Sequence, residues 1–459
     1  MKRIAGLILV LALLTSVFAG CGSDGKTPAA EQKPSDTQKA AEPQKQVKIS
    51  FWGGIPAESG PQNAVDAWNK QNPDIQVEYV RYVNDESGNT KLDTALLSGM
   101  NCDLFTSHGA DRSVARITAG MAHPLTDYLK KDNMDVEKMF GAGYYKYNDT
   151  VFGIPDTNPA DFLWLNKTMF DKAGIPIPTD WTISEFKEIA GKLTSGTGAN
   201  KVYGAFMYPG WSDNWMRPAF SVLGPDSYSE KMSFNLENEY FKKVLQMRYD
   251  MEVVDKSWVP VADVITQKLT AQDMYFKGKV AMAWAGSFLL RYVKDDKNYP
   301  HDFVSAFAPV PKWDKGQSNY YNTAGAVDAV VSINKMSQNK DAAWTFMKWW
   351  VTEGFPTYAV PFGKIPSYTA ADKSKMEAAL LDTDAVKKKI DLESFKRVFV
   401  GDTAATGAFF TTPLTPARNE VATMFTREVE KCLAGKQTVD QTIDSMKKQA
   451  QEITENRNK

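Results

Sequence analysis

The residues best placed to do chemistry in this chain are aromatic rings set beside polar groups, on stretches that read as loops. Tyr208-Pro-Gly-Trp211-Ser-Asp213-Asn-Trp215 crowds tyrosine, tryptophan and a carboxylate into the approach to a helix. Trp52 ends an alternating strand, and Glu58 lies in the loop that follows. Trp284 and Phe288 flank Ala285-Gly286-Ser287, whose small side chains let a ligand approach the backbone. A polyhydroxylated molecule offers an apolar C–H face and a rim of hydroxyls. It is met by flat rings together with acceptors and donors from Asp, Glu, Asn and Arg. Each candidate also has a plainer role. Trp52 can line the sheet as core, Glu58 can be a surface acid, and Trp211 and Trp215 can pack beneath their own loop.

Catalytic and cofactor patterns are missing from the same stretches. His108, His123 and His301 are scattered and lack metal-ligand spacing. The Gly-Lys pairs at Gly191, Gly278, Gly363 and Gly435 lack a following Ser or Thr. No G-x-S-x-G is present, and neither Gly141-Ala-Gly nor Gly196-Thr-Gly completes a dinucleotide fingerprint. A pair of glycosidase carboxylates leaves no sequence signature and stays open. The expectation is a binding protein with no catalytic residue, no cofactor and no metal. A formal net charge of −1 gives no electrostatic case for nucleic acid.

The elements that must position these residues alternate between strand and helix. Val47, Ile49 and Phe51 alternate with polar residues, and Ile75, Val77 and Tyr79 do the same after Pro73. Further strands are expected at Asp103–Thr106, Val151–Ile154, Phe162–Leu165, Val280–Trp284, Phe303–Val310 and Ala326–Ile333. Helices near Asn63–Lys70 and Lys91–Leu97 lie between the first strands, an order that argues for parallel, doubly wound sheets and an α/β class. Thr182 is a good N-cap, Glu185 its capping-box partner, and Trp181 can staple onto Phe186. Val439, Ile443, Met446, Ala450 and Ile453 form a core-facing stripe on a closing helix. Trp344, Trp349 and Trp350 sit at helical spacing among Ala343, Phe346 and Met347 and read as core. With 459 residues, two domains are expected. Cys102 and Cys432 are either one disulfide or two buried thiols.

The amino terminus reads as an address. Lys2 and Arg3 precede an apolar run from Ile4 to Phe18, too short to span a membrane and shaped as a secretory signal. Phe18-Ala-Gly-Cys21 resembles a lipobox, so Cys21 is the expected lipidated residue after removal of residues 1–20. Residues 21–46 form a tether: Gly22–Gln46 lacks Ile, Leu, Val, Met and aromatic residues and cannot bury enough surface to fold. The expected location is the extracytoplasmic face of a bacterial, Gram-positive cell membrane.

The stretch Val151–Thr194, VFGIPDTNPADFLWLNKTMFDKAGIPIPTDWTISEFKEIAGKLT, resembles the signature of the extracellular solute-binding proteins of bacterial ABC importers, carbohydrate-binding family 1. Leu165 stands where that family usually has Tyr. KLDTALLSG, MAHPLTDYL, YFKGKVAMAWAGSF, NKDAAWTFMKWWVTEG and CLAGKQTVDQTI resemble further family landmarks in the same order, across nearly the whole chain. By similarity to maltodextrin-binding relatives, two α/β lobes of the periplasmic-binding-protein type II kind are implied. Three hinge crossings would join them, near Asp156–Asp161, Asn322–Asp328 and Ser367–Asp372. The lobes would then be 47–157 plus 328–368, and 158–327 plus 369–459.

The resemblance also implies site residues. Ser107, His108, Asp111 and Arg112 align with a ligand-binding loop, although Asp111 can equally cap a helix and Arg112 can simply orient it. Trp211, Asp213 and Trp215 match a region of stacking residues. Phe288 replaces a stacking Trp, with Trp284 and Gly286 beside it. Asp156 and Asn322 sit at crossings, and Arg418 resembles a cleft-facing position. Implied partners are a di- or oligosaccharide, the permease subunits of an ABC importer, and the membrane through the lipid, with the protein a monomer. Other solutes (a peptide, a polyamine, a glycerophosphodiester) and an anchored glycoside hydrolase are the competing readings.

Overall fold

The computed structural model describes residues 46–459, apart from 142–144, 159–160, 210–213, 324–328, 402–406, 411–412, 414, 416 and 458–459. The leader, Cys21 and the tether lie outside these residues, as do Trp211 and Asp213.

Two sheets organise the chain. The first contains β1 (Val47–Gly53), β2 (Ile75–Arg81), β3 (Leu104–His108), β4 (Tyr145–Tyr147), β5 (Thr150–Thr157) and β12 (Ala329–Ile333), in the order β2-β1-β3-β12-β5-β4. The second contains β6 (Asp161–Asn166), β7 (Tyr203–Met207), β10 (Val280–Gly286) and β11 (Ser305–Ala308), ordered β11-β6-β10-β7. A small hairpin of β8 (Tyr228–Ser229) and β9 (Ser233–Phe234) stands apart.

The class is α/β as expected, but the sheets are mixed rather than wholly parallel. β1 runs parallel to β2 and β3, and β10 runs parallel to β7. β12 is antiparallel to both its neighbours, and β6 is antiparallel to β10 and β11. The reason is topological: β6 and β12 are reached from the other sheet and not through a helical crossover.

Alternation along the strands decides which face each side chain covers. Ile49 and Phe51 face the helix Lys340–Trp349; its Phe346 ring and that of Trp350, which follows it, meet Phe51 edge-on at 5.8 and 4.8 Å. Trp52 and Phe105 face the other way, onto Leu92, Leu96 and Ile117 of two further helices. In the second sheet Phe162, Trp164 and Phe307 share one core, while Leu163, Leu165, Trp284 and Ala308 share the opposite one. Strands covered on both faces are buried throughout.

The helix Ile183–Leu193 carries the expected start. The Thr182 N–H donates to Glu185 at 2.7 Å, the Glu185 N–H donates to the Thr182 hydroxyl at 3.3 Å, and the Trp181 ring meets Phe186 edge-on. A further core joins the chain's last helices, Arg418–Leu433 and Val439–Arg457, to Phe220, Phe241 and Trp215. Trp344 and Trp350 are buried in the core that holds Ile49 and Phe51, and Trp349 packs against it. Cys102 and Cys432 are separate buried thiols, so the disulfide does not form.

The chain leaves the first sheet after Thr157 and returns to it at Ala329. The segment around Pro366 pairs with this exit: Thr157 bridges Pro366, the Asn158 N–H donates to the Ile365 carbonyl at 2.8 Å, and the Ser367 N–H donates to the Asp156 carbonyl at 3.0 Å.

Candidate functional site

A cavity of about 300 Å³ opens beyond the carboxyl ends of the parallel strands. Gly54, Ile55 and Pro56 follow β1, Asn84 follows β2, and His108 ends β3. From the second sheet Tyr208 follows β7, and Phe288 follows β10. Thr270, Ala271, Gln272, Arg291, Tyr292 and Lys364 complete the wall. Loops at these strand ends collect because each strand delivers its chain to the same edge of its sheet, where the doubly wound arrangement leaves a crevice. Phe288, Arg291 and Tyr292 sit three and four positions apart on one short helical segment, so their side chains share a face.

Two glycines make room for this wall. A Cβ at Gly54 would lie 2.7 Å from the His108 Nε2, so a larger residue would drive the imidazole out of place. Gly363 has φ +83°, and its Cβ would meet the Ser287 carbonyl at 2.6 Å. It lets the chain turn tightly before Lys364 reaches the cavity.

The ring chemistry comes from Tyr208, Phe288 and Tyr292, all half-buried. Arg291 donates to the Tyr292 hydroxyl at 2.8 Å and lies over its ring, with the guanidinium carbon 4.7 Å from the centroid. Behind the wall, Tyr82 donates to the Thr106 carbonyl at 2.7 Å, and burial pushes its hydroxyl up to about 12. Tyr79 donates to the Ile55 carbonyl at 2.7 Å and is likewise raised by burial. Both stay protonated and serve as rigid props for the strand ends.

Of the residues singled out from sequence, His108 and Phe288 face the cavity. Several others are committed elsewhere. The Trp52 indole donates to the Ser50 hydroxyl and the Asn101 carbonyl and is buried, because position 52 points into the helix-covered face of β1. Trp284 is buried against Phe186, on the opposite face of β10 from Phe162 and Trp164. Trp215 is buried between Phe241 and Phe425. Ser107 accepts from Arg116 at 2.9 Å, within a buried cluster in which Arg116 also binds Asp93 and Asn89.

Arg112 pairs with Glu86, and Glu58 is exposed on a single turn, outside the cavity wall. Asp111 accepts from Arg418 at 2.7 Å, an ion pair that joins the helix Ala110–Thr118 to the penultimate helix. Arg418 is 1 % exposed and also lies over the Tyr228 and Phe234 rings. Asp156 accepts from Trp350 at 3.1 Å and from the Thr157 hydroxyl at 3.0 Å, which fixes the exit from the first sheet. The buried Asn322 donates its N–H to the Ala408 carbonyl at 2.9 Å, and the Gly286 carbonyl accepts from Trp164.

The sequence reading placed Tyr208 in an aromatic loop without assigning it to the ligand, and it missed Asn84, Gln272, Arg291, Tyr292 and Lys364 as cavity residues. The signal that finds most of them is position: they stand one to three residues beyond a strand or on the helical face shared with Phe288. Among the described residues no cluster of His, Cys, Asp or Glu could hold a metal ion, and no helix is long and apolar enough to cross a membrane.

Comparison with known proteins agrees with this architecture. An ABC substrate-binding protein of Listeria monocytogenes in complex with cycloalternan superposes with a TM-score of 0.71 at 20 % identity, covering 89 % of this chain and 99 % of that one. The maltose/maltodextrin-binding domain of Bdellovibrio bacteriovorus bound to maltotriose superposes with a TM-score of 0.65 at 20 % identity, covering 90 % and 99 %. In sequence, an arabinooligosaccharide-binding protein of Halalkalibacterium halodurans is 24 % identical over 304 residues, 62 % of this chain and 63 % of that protein. An uncharacterized ABC transporter extracellular-binding protein of Pyrococcus horikoshii is 26 % identical over 312 residues, 64 % and 66 % of the two chains. The chain thus spans a little under two thirds of the length of these curated relatives. The defining pattern of the bacterial extracellular solute-binding proteins matches residues 53–355, more than half of the sequence, and the chain belongs to that family.

Proposed function

We propose that this protein captures a di- or oligosaccharide in the cavity between its two sheets and delivers it, unaltered, to the permease of an ABC importer. The observation that carries the reading is the cavity wall. Tyr208, Phe288 and Tyr292 supply flat rings, and Asn84, Gln272 and Thr270 supply donors and acceptors. A wall of rings and amides suits a molecule with apolar faces and a hydroxyl rim better than it suits a polyamine, which needs carboxylates around it.

In this reading the two lobes are 47–157 plus 328–368 and 158–327 plus 369–459. Both sheets contribute to the wall, so a ligand that touches both favours the closed arrangement by its extra contacts there. Residues 1–20 are a secretory signal, Cys21 carries the lipid, and residues 21–46 tether the body to the outer face of the membrane, spanning roughly 25–30 Å as a flexible coil.

A thermal-shift screen of the purified protein against a broad glycan library tests the reading, since a ligand bound only by the folded state raises the melting temperature. At least one oligosaccharide is expected to raise it and to be recovered uncleaved. Phe288→Ala and Tyr208→Ala should each weaken that ligand about tenfold or more with little change in the unliganded melting temperature. A library without a stabilising sugar, or a cleaved sugar, overturns the proposal.

A further inference from the structure

The cavity is unevenly charged. Arg291 and Lys364 line it, and no Asp or Glu is among its described lining residues. Sugar hydroxyls donate as well as accept, so a wall for a neutral sugar gains from carboxylate acceptors. Here the formal charges are cationic.

Arg291 stands out among the enclosed arginines. Arg116 pairs with Asp93 at 2.7 Å, Arg248 with Glu252 at 3.3 Å, and Arg418 with Asp111 at 2.7 Å. Each of these three buried guanidinium groups therefore has its carboxylate. Arg291, half-buried in the cavity wall, donates to the Tyr292 hydroxyl and makes no ion pair among the described residues. Its Nε lies out of reach of water and has no hydrogen-bond partner. A guanidinium held against a tyrosine ring in a cavity wall, with no carboxylate of its own among the described residues, suits a planar anion that can take two parallel N–H bonds.

Resting on the sugar-binding reading above, we infer that the ligand is an acidic oligosaccharide, one that carries a uronate carboxylate. The carboxylate docks on Arg291 with Lys364 as the second positive charge, while Tyr208, Phe288 and Tyr292 take the ring faces. Tyr292 then has two tasks, orienting the guanidinium through its hydroxyl and offering its own ring. The lining cations also set a bias against cationic solutes, which would enter without a partner for their charge.

Calorimetry with a panel of oligouronides, each paired with its methyl-esterified neutral counterpart, tests this, with sulfated oligosaccharides as a further arm. The acid form should bind at least tenfold more tightly than its ester, and raising the ionic strength should narrow the gap. Arg291→Gln should lower affinity for the acid by tenfold or more and lower that for the ester less, so that the acid-to-ester ratio falls. Lys364→Gln, should the first variant fold poorly, is expected to shrink the same gap in a smaller step. Equal affinity for acid and ester, or an unchanged ratio in either folded variant, overturns the inference while leaving sugar binding intact. Binding of sulfated sugars without uronates overturns the carboxylate assignment. If no sugar of either charge binds, the sugar reading falls and the inference with it.

Discussion

At the scale of single residues, an aromatic side chain near a strand end does one of two jobs, and one position separates them. Trp52 and Trp284 lie within their strands, where alternation turns them into a helix-covered face. Phe288, beyond β10, escapes that rule and reaches the cavity. The sequence makes both kinds of ring visible, but their facing depends on where a strand stops, which is the least legible feature of a strand. Trp284→Ala is therefore expected to cost about 3–5 kcal/mol of stability in a urea titration. The fraction that stays folded should bind ligand with unchanged affinity. A loss of affinity without a loss of stability would place Trp284 in the cavity after all. Asp111 and Arg418 show the same ambiguity from the polar side. Each is the kind of residue a ligand site needs, and the structure spends them on one another.

At the scale of elements, local chemistry was well marked in the sequence and long-range pairing was not. The helix Ile183–Leu193 starts where Thr182, Glu185 and Trp181 say it should, because a cap, its box partner and its staple are all contacts within a few residues. Thr182→Ala should cost about 1 kcal/mol, seen as a lower urea midpoint with ligand affinity unchanged. Thr182→Ser should recover most of it, whereas equal loss in both variants would argue that the threonine methyl, and not the cap, matters. The antiparallel insertion of β12 between β3 and β5 had no such local mark. Its residues, AVVSI, read as a strand, but nothing within the segment states which strands it joins or in which direction. The cavity residues divide in the same way: Phe288 is legible beside a known strand, while Gln272 and Lys364 arrive from distant segments.

At the scale of the whole molecule, charge networks far from the cavity set the limits of the fold. Glu428 is enclosed between the two last helices. Burial there pushes its carboxyl up, but bonds from Gln437, Lys431, Gln449 and Ser445 outweigh it and hold the group down at about 2. Because folding favours the ionised form, this contribution is complete above the ordinary glutamate range near 4.5 and is lost as pH falls toward about 2. Glu428→Gln should lower stability by roughly 1–3 kcal/mol at neutral pH and flatten its decline on acidification from about pH 5 downward. Parallel acid-denaturation curves for the two proteins would refute that assignment.

The place of β12 has a consequence for how such a chain comes into being. β3 and β5 cannot be knitted into one sheet until Ile333 has left the ribosome, and Asp111 waits 307 positions for Arg418. A growing chain therefore cannot complete its first layer early, and most of it must exist before its amino-terminal third can lock.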